Sequence, residues 1–538
     1  MAEQENSKDL ISVLWSGADI LRSKMDANEY KDYLLGIVFY KYLSDSFLIK
    51  VYDMICDGKP GTLKEALDVY SEELKGEDGE ELRMAMKDEC HYVIEPELTY
   101  TYFADAARNN SFNREQLQKG FNNIEQSDLI FADLFTDIDL YSNRLGTGDQ
   151  KQSDTISSLI KEIDKADLLN SDAEILGNAY EYLIGQFASE TGKKAGEFYT
   201  PHSIVELIAS LIEPFDGTVY DPCCGSGGMF VQAAKFIEAH GGNTKAVNVY
   251  GQESEPATYR LAKMNLAIRG ISYHLGDRAI STFSDDQHKE LKFDYIMANP
   301  PFNLKKYAEY GGFETDPRWQ GYGIPPTSNA NYAWILHILN KLNVSRGIAG
   351  FLLANGALDD SDTQGIRKQL IESDKVEAII VLPRNMFYST DISVTLWILN
   401  NNKKGGPWHG RQLRDRAGEI LFIDLRTWNS NIYEKKYVRL SETEIDKVRQ
   451  IYLDWQTENF FEYAEPELYY AAHRDEIQEK GYSLVPSRYI EFIDRDTEID
   501  YKSALSEMSC KFDELKKRWD ANETELINAF KVLGYGEE

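Results

Sequence analysis

Apolar positions along the chain fall into three patterns. From the start to about residue 165 they recur at helical spacing, as in EYKDYLLGIVFYKYLSDSFLIKVYDMI, with polar stretches between them. A helical domain is expected over 1–165. From 166 to 430, short β-rich runs alternate with amphipathic stretches: GTVYD, VNVYGQE, FDYIMA, GIAGFLLA, VEAIIVLP, VTLWILN and EILFIDL. Strands alternating with helices form a mostly parallel sheet covered on both faces. The expected fold class is therefore α/β, a doubly wound, mostly parallel sheet of seven strands. From 431 to 538 the texture is helical again. Over 501–534, Leu505, Met508, Phe512, Leu515, Trp519, Asn522, Leu526, Ala529 and Leu533 follow alternating three- and four-residue steps, the a/d seam of a coiled coil. Two readings stay open for it: a helix that docks a partner, or one packed on its own domain.

The ends of the expected strands carry the residues suited to chemistry. In VYDPCCGSGGMFVQAAKFIEA a strand ends in Asp221 and Pro222, and the turn Gly225, Ser226, Gly227, Gly228 leads into a helix near Met229. Glycines at a strand-to-helix turn let backbone approach a ligand, and the helix start offers free N-H groups. A nucleoside-containing cofactor is implied, although the spacing is not GxGxxG. The next unit places Glu253 at a strand end, where an acid can accept from both ribose hydroxyls. Glu255 is the second choice, and either can be a helix-start acid favoured by the macrodipole. LGDRA puts Asp277 on the same edge. The fourth end is MANPPFN, where Pro300 and Pro301 stop the ladder because neither has an N-H to donate.

Composition narrows the partners. A net charge of −31 over 538 residues argues against a nucleic-acid binder that relies on a broad basic surface. The five cysteines form no CxxC pair and no zinc-like Cys/His spacing, so no metal is expected. Neither an export signal nor a transmembrane run is visible, and a cytoplasmic protein without membrane attachment is expected.

Glycine turn, acid, aspartate and Asn-Pro-Pro-Phe, in that order, resemble the S-adenosylmethionine-dependent methyltransferases that modify the exocyclic amine of adenine. GEFYTP, DPCCGSGGM, GQE, NPPFN, NYAWILHILNKL, NGAL and LPRNMFYSTDISVTLWILN occur in the order seen in modification (M) subunits of type I restriction-modification systems. That resemblance covers nearly the whole chain. It implies a Rossmann-like methyltransferase sheet, S-adenosylmethionine as cofactor and double-stranded DNA as substrate. It also implies a specificity (S) subunit, joined by this chain and a second copy of it, and a restriction (R) subunit. Asp277 would meet the cofactor's adenine, and Glu197, Phe198, Tyr199, Thr200 and Pro201 would wall the cofactor.

At the fourth strand end, the Asn299 side-chain oxygen and the Pro300 carbonyl would accept from the target amine, Pro301 would rigidify them, and Phe302 would stack on the flipped base. No general base is needed, because a sulfonium is already an activated methyl donor. His337, on an apolar helix, reads as a packing histidine, and Cys223 and Cys224 as small residues in a crowded turn. The long loop after NPPF is expected to act as a mobile lid, with Lys305, Lys306 and Arg318 on phosphates and Trp319 or Tyr322 on a base. Competing readings are a methyltransferase acting on RNA or on protein glutamine, a silent assembly subunit, and a dinucleotide oxidoreductase.

Overall fold

A computed structural model describes residues 2–166, 200–240, 247–387, 392–433, 437–493 and 501–532. Glu197, Phe198, Tyr199 and Leu533 lie outside the described residues.

The helical texture near the start becomes helices Ala2–Arg22, Ala27–Cys56, Leu63–Glu73, Gly79–Cys90, Tyr100–Arg108, Arg114–Glu125 and Asp149–Ile163. Side-chain caps begin several of them: the Thr62 and Thr99 hydroxyls accept from the Glu65 and Tyr102 N-H groups, and Asn113 accepts from Glu115. Their apolar faces meet around Tyr40, Phe121 and Phe135, the last two stacked with centroids 4.3 Å apart. This core does not close on itself. Helix Pro256–Ile268 contributes Leu261, Met264 and Ile268 to it. The Tyr42 hydroxyl donates to the Ile268 carbonyl at 3.0 Å, and Lys263 Nζ to the Ala132 carbonyl at 3.3 Å.

The strands are β1 (Gly217–Asp221), β2 (Val247–Gly251), β3 (Tyr273–His274), β4 (Tyr295–Ala298), β5 (Ile348–Ala354), β6 (Val376–Val381) and β7 (Val394–Asn400). They are followed by β8 (Gly406–Trp408), β9 (Arg411–Leu413), β10 (Glu419–Asp424), β11 (Ile432–Tyr433), β12 (Tyr437–Val438), β13 (Ala464–Glu465) and β14 (Tyr469–His473). The β8–β9 and β11–β12 pairs stand apart, and the others form one sheet in the order β13-β14-β10-β6-β7-β5-β4-β1-β2-β3. Parallel pairing runs from β3 to β5 and again between β6 and β10. β7 is antiparallel to β5 and β6, and β14 to β10 and β13. β4, β5, β6 and β7 are buried along their whole length, which explains their continuous apolar runs.

The seven expected strands are β1, β2, β4, β5, β6, β7 and β10, and the observed sheet has ten. β3 and β13 are two residues each, too short for a period to register, and β14 is half-exposed at the edge. The segment from 431 onward is therefore not wholly helical, because β13 and β14 extend the sheet and helix Glu442–Thr457 packs into the core below it. The strand order reverses at β1, which lies between β4 and β2, so a crevice opens outside its carboxyl end.

The described side chains of helix Tyr501–Val532 are exposed. Leu505, Met508, Phe512, Leu515, Trp519 and Leu526 are between 57% and 72% exposed, leaving a continuous apolar seam in solvent. Among the described residues, no helix is long and apolar enough to cross a membrane.

Because Ile268 is fully buried in the core of the helical unit, Ile268→Ala is expected to cost about 2–5 kcal/mol. Calorimetry should show a lowered unfolding midpoint for that unit; an unchanged midpoint would contradict a core shared between the two regions.

Candidate functional site

Asp221 ends β1 almost fully buried, and its carboxylate accepts from the Cys223 N-H at 3.0 Å. The turn that follows needs glycine. Gly225 and Gly227 sit at φ 56° and 83°, and a Cβ on Gly227 would stand 3.3 Å from Leu266. The Gly225 N-H donates to Glu253 Oε2 at 3.0 Å, while Glu253 Oε1 accepts from the backbone of Ser254 and Glu255 at 2.6 and 2.8 Å. Glu253 is thus tied to the glycine turn, and Glu255 occupies the N-cap position of the next helix without a side-chain cap bond. Asn265 donates to the Ser226 carbonyl at 2.8 Å, and Thr282 to that of Pro222 at 2.5 Å, so both flanks of the turn are held. Gly228 opens the following helix. Asp277 is exposed just past β3, its backbone N-H bound to Gln287.

Burial pushes the Asp221 carboxyl up to about 7, with the nearby Glu253 charge adding to the rise and the Cys223 hydrogen bonds opposing it. Burial also raises Glu253. The Cys223 and Cys224 thiols are raised well above their ordinary value by burial, which keeps them protonated and unreactive. Among the described residues, no group of three His, Cys, Asp or Glu is placed to hold a metal ion.

At the end of β4, Asn299 Nδ2 donates to Thr200 Oγ1 at 2.8 Å. Its Oδ1 is buried and has no hydrogen-bond partner among the described residues. Pro300 is buried and Pro301 half-buried. Phe302 meets Phe387 edge to face, with centroids 6.0 Å apart. Pro201 caps helix His202–Ile212, and its carbonyl accepts from the Ile204 N-H, which fixes Thr200 beside Asn299. Asn303 adopts φ 54° and is tied to the start of helix Asn331–Lys341: Asn331 Oδ1 accepts from its N-H, and its own Oδ1 accepts from Asn329 and Asn331, all at 3.0 Å. Sequence reading singles out NYAWILHILNKL as a motif without giving Asn331 a role; the asparagines within NPPFN and SNANYAW are the available signal.

The loop after NPPF differs from the expected lid. Arg318 and Trp319 are interior, 9% and 3% exposed, and are not placed for phosphate or base. Arg318 pairs with Asp316 at 2.5 Å, donates to the carbonyls of Thr282 and Phe283, and reaches His337 Nδ1 at 3.3 Å. Trp319 donates to the Phe313 carbonyl and packs in the core with Tyr307 and Phe313. Tyr322 is half-buried and accepts from Ser373, while Lys305 and Lys306 are exposed. His337 is fully buried between Arg318 and Tyr220, whose hydroxyl lies 3.2 Å from His337 Nε2. Burial and then the Arg318 charge hold it neutral, as expected of a packing histidine.

A separate cavity of about 820 Å³ lies between the helical unit and the β2–β3 edge. It reaches Asp277 but is lined by neither Asp221 nor Asn299.

Residues 171–498 match the N-6 DNA methylase family model, and 10–163 match that of the HsdM N-terminal domain. The type I restriction enzyme HindI methylase subunit of Haemophilus influenzae is 38% identical over 67% of this chain and 79% of its own length. The MjaIX methylase subunit of Methanocaldococcus jannaschii is 32% identical over 97% and 90%. Among solved structures, a type I restriction-modification methyltransferase subunit from Streptococcus thermophilus is 35% identical, with a TM-score of 0.80 over 90% of this chain and 100% of that one.

Truncating one partner of a buried ion pair strands the other charge, so Arg318→Ala is expected to cost about 3–5 kcal/mol. Lys305→Ala, on the surface, should stay within about 0.5 kcal/mol. Thermal unfolding separates the two, and an unshifted midpoint for Arg318→Ala would refute the interior role.

Proposed function

The chain belongs to the N-6 DNA methylase family as a modification subunit of the type I restriction-modification kind, and from that premise we propose how its crevice performs N6-adenine methylation. The observation that carries the reading is the buried Asn299 oxygen without a partner among the described residues. Its amide nitrogen is occupied by Thr200, which leaves the oxygen as the acceptor turned to a ligand. A target amine placed there would donate to Asn299 Oδ1 and to the Pro300 carbonyl. Both bonds draw density toward the amine nitrogen and favour its pyramidal, nucleophilic form. Phe302, braced by Phe387, presents a face for a base turned out of the duplex.

S-adenosylmethionine fits the donor set of the crevice and would supply an electrophilic methyl on its sulfonium. The buried Asp221 and the half-buried Glu253 give two carboxylates for its cationic and hydroxyl groups, the Gly225–Gly228 turn gives close backbone approach, and Asp277 lies at the outer edge. Thr200 and Pro201 border the crevice on the side of Asn299, and Glu197, Phe198 and Tyr199 are assigned to the cofactor on the family resemblance alone.

The subunit acts on double-stranded DNA with specificity and restriction subunits, and with a second copy of itself in a core of two modification subunits and one specificity subunit. The exposed seam of helix Tyr501–Val532 is the surface we assign to the specificity chain. Lys305 and Lys306, exposed just after Phe302, are the remaining candidates for phosphate contact, with Tyr322 farther along the loop. The cytoplasm is the compartment in which this reading places the protein. The RNA, glutamine and scaffold alternatives are not favoured, given methylase relatives along nearly the full chain.

Asn299→Ala is expected to keep cofactor affinity while lowering methyl transfer by roughly 10²–10³-fold or more. A genome-wide N6-methyladenine map of the host reads this directly, and undiminished methylation in the variant would sink the assignment. Affinity for the cofactor should also depend on pH. The Asp221 carboxyl is protonated below about 7, and binding a cationic group there must expel that proton, so acidification weakens binding. From about pH 8 to about pH 6 the dissociation constant should rise about tenfold. Asp221→Asn should flatten that slope; an unaltered slope would transfer the titration to Glu253.

A further inference from the structure

We propose that Asn303, clamped by Asn329 and Asn331, is the positioning residue that fixes Phe302 and Pro301 for transfer; the proposal rests on the methylation reading above. Asn303 is the first residue after Asn-Pro-Pro-Phe, and the chain turns sharply there, at φ 54°. Asparagine tolerates this region better than most residues, but tolerance alone does not hold a turn. Here the side chain does. Its Oδ1 takes two amide donors, from Asn329 and Asn331, while Asn331 Oδ1 takes the Asn303 N-H.

Position in the loop gives the clamp its consequence. The excursion that starts at Leu304 returns at Ala330, whose N-H donates to the Leu304 carbonyl at 3.0 Å. Both ends of a long loop are therefore pinned at one point, immediately behind Phe302. Asn329 Oδ1 also accepts from the Asn331 N-H at 3.0 Å, so the three asparagines brace one another. Asn331 is 5% exposed and begins a helix whose other side chains are almost all buried, giving the clamp a rigid anchor. Motion of the loop between its ends is thereby prevented from displacing Phe302 and Pro301. Transfer chemistry is sensitive to such displacement, since a shift of about 1 Å can cost about 10²-fold in rate.

Three substitutions at one position separate the clamp from backbone conformation and from folding. Asn303→Asp keeps an acceptor for both amides and tolerates the turn. Asn303→Gly keeps the turn and removes the acceptor, and Asn303→Ala removes both. In the complex assembled with the specificity subunit, Asn303→Asp is expected to hold kcat within about threefold. Asn303→Gly and Asn303→Ala are expected to lower kcat by about tenfold or more, approaching about 10²-fold. The cofactor dissociation constant should stay within about twofold in all three, because the clamp touches neither Asp221 nor Glu253. Full kcat in Asn303→Gly would overturn the clamp alone and leave the methylation reading standing. Cofactor affinity lost together with kcat would also overturn it, in favour of a general folding role. A wild-type complex that methylates no DNA would overturn the reading beneath it, and the clamp with it.

Discussion

A buried amide oxygen without a hydrogen-bond partner costs about 1–3 kcal/mol, and at the end of β4 Asn299 carries one that has none among the described residues. Much of the surrounding structure can be understood as holding it there. The amide cannot turn to relieve itself, because its nitrogen is bound to Thr200. The chain cannot continue the ladder past it, because Pro300 and Pro301 have no N-H groups. Nor can the strand shift, since β4 lies between β1 and β5 in a fully buried register, Met297 opposite Gly350 and Ala298 opposite Phe351. A polar group kept unsatisfied by three independent restraints is preorganised for a ligand, and the cost is borne by the large apolar core around the sheet.

The same logic governs charge. The chain carries −31 overall, yet Arg318, a cation of the loop beside the crevice, is spent on internal bonds. It joins the long loop to the carbonyls of Thr282 and Phe283, and Thr282 in turn holds Pro222 of the glycine turn. The loop after NPPF and the glycine turn thus belong to one hydrogen-bonded frame, with neutral His337 at its centre. An arginine exposed for phosphate would have left these carbonyls without its donors.

How much of this was legible depended on whether a property was local. The glycine turn, Glu253, and the double proline are consecutive residues with their own conformational demands, and their strand-end placement followed from the alternation of short apolar runs and helices. β3 and β13 were not legible because two residues cannot show a period, and β14 because an edge strand lacks a fully buried apolar run. Arg318 and Trp319 read as surface residues because a Gly- and Pro-rich loop is ordinarily solvated. What inverted the reading was the folding of Tyr307, Phe313 and Trp319 into a common core, a contact the loop's composition does not disclose. The asparagine clamp was invisible for the same reason: its members are 26 and 28 residues apart.

The helical unit fits this frame as a continuation rather than an appendage. Helix Pro256–Ile268 starts just after Glu253 and ends inside the core of that unit with Ile268 bound to Tyr42. Its Asn265 holds the Ser226 carbonyl of the glycine turn, while Leu261 and Met264 belong to the helical core. A displacement of the helical unit along this helix must therefore move the glycine turn, because protein interiors this closely packed transmit shifts rather than absorb them. One physical route between the first 165 residues and the crevice is this helix, which sets Leu266 and Asn265 against the glycine turn and Leu261, Met264 and Ile268 into the helical core.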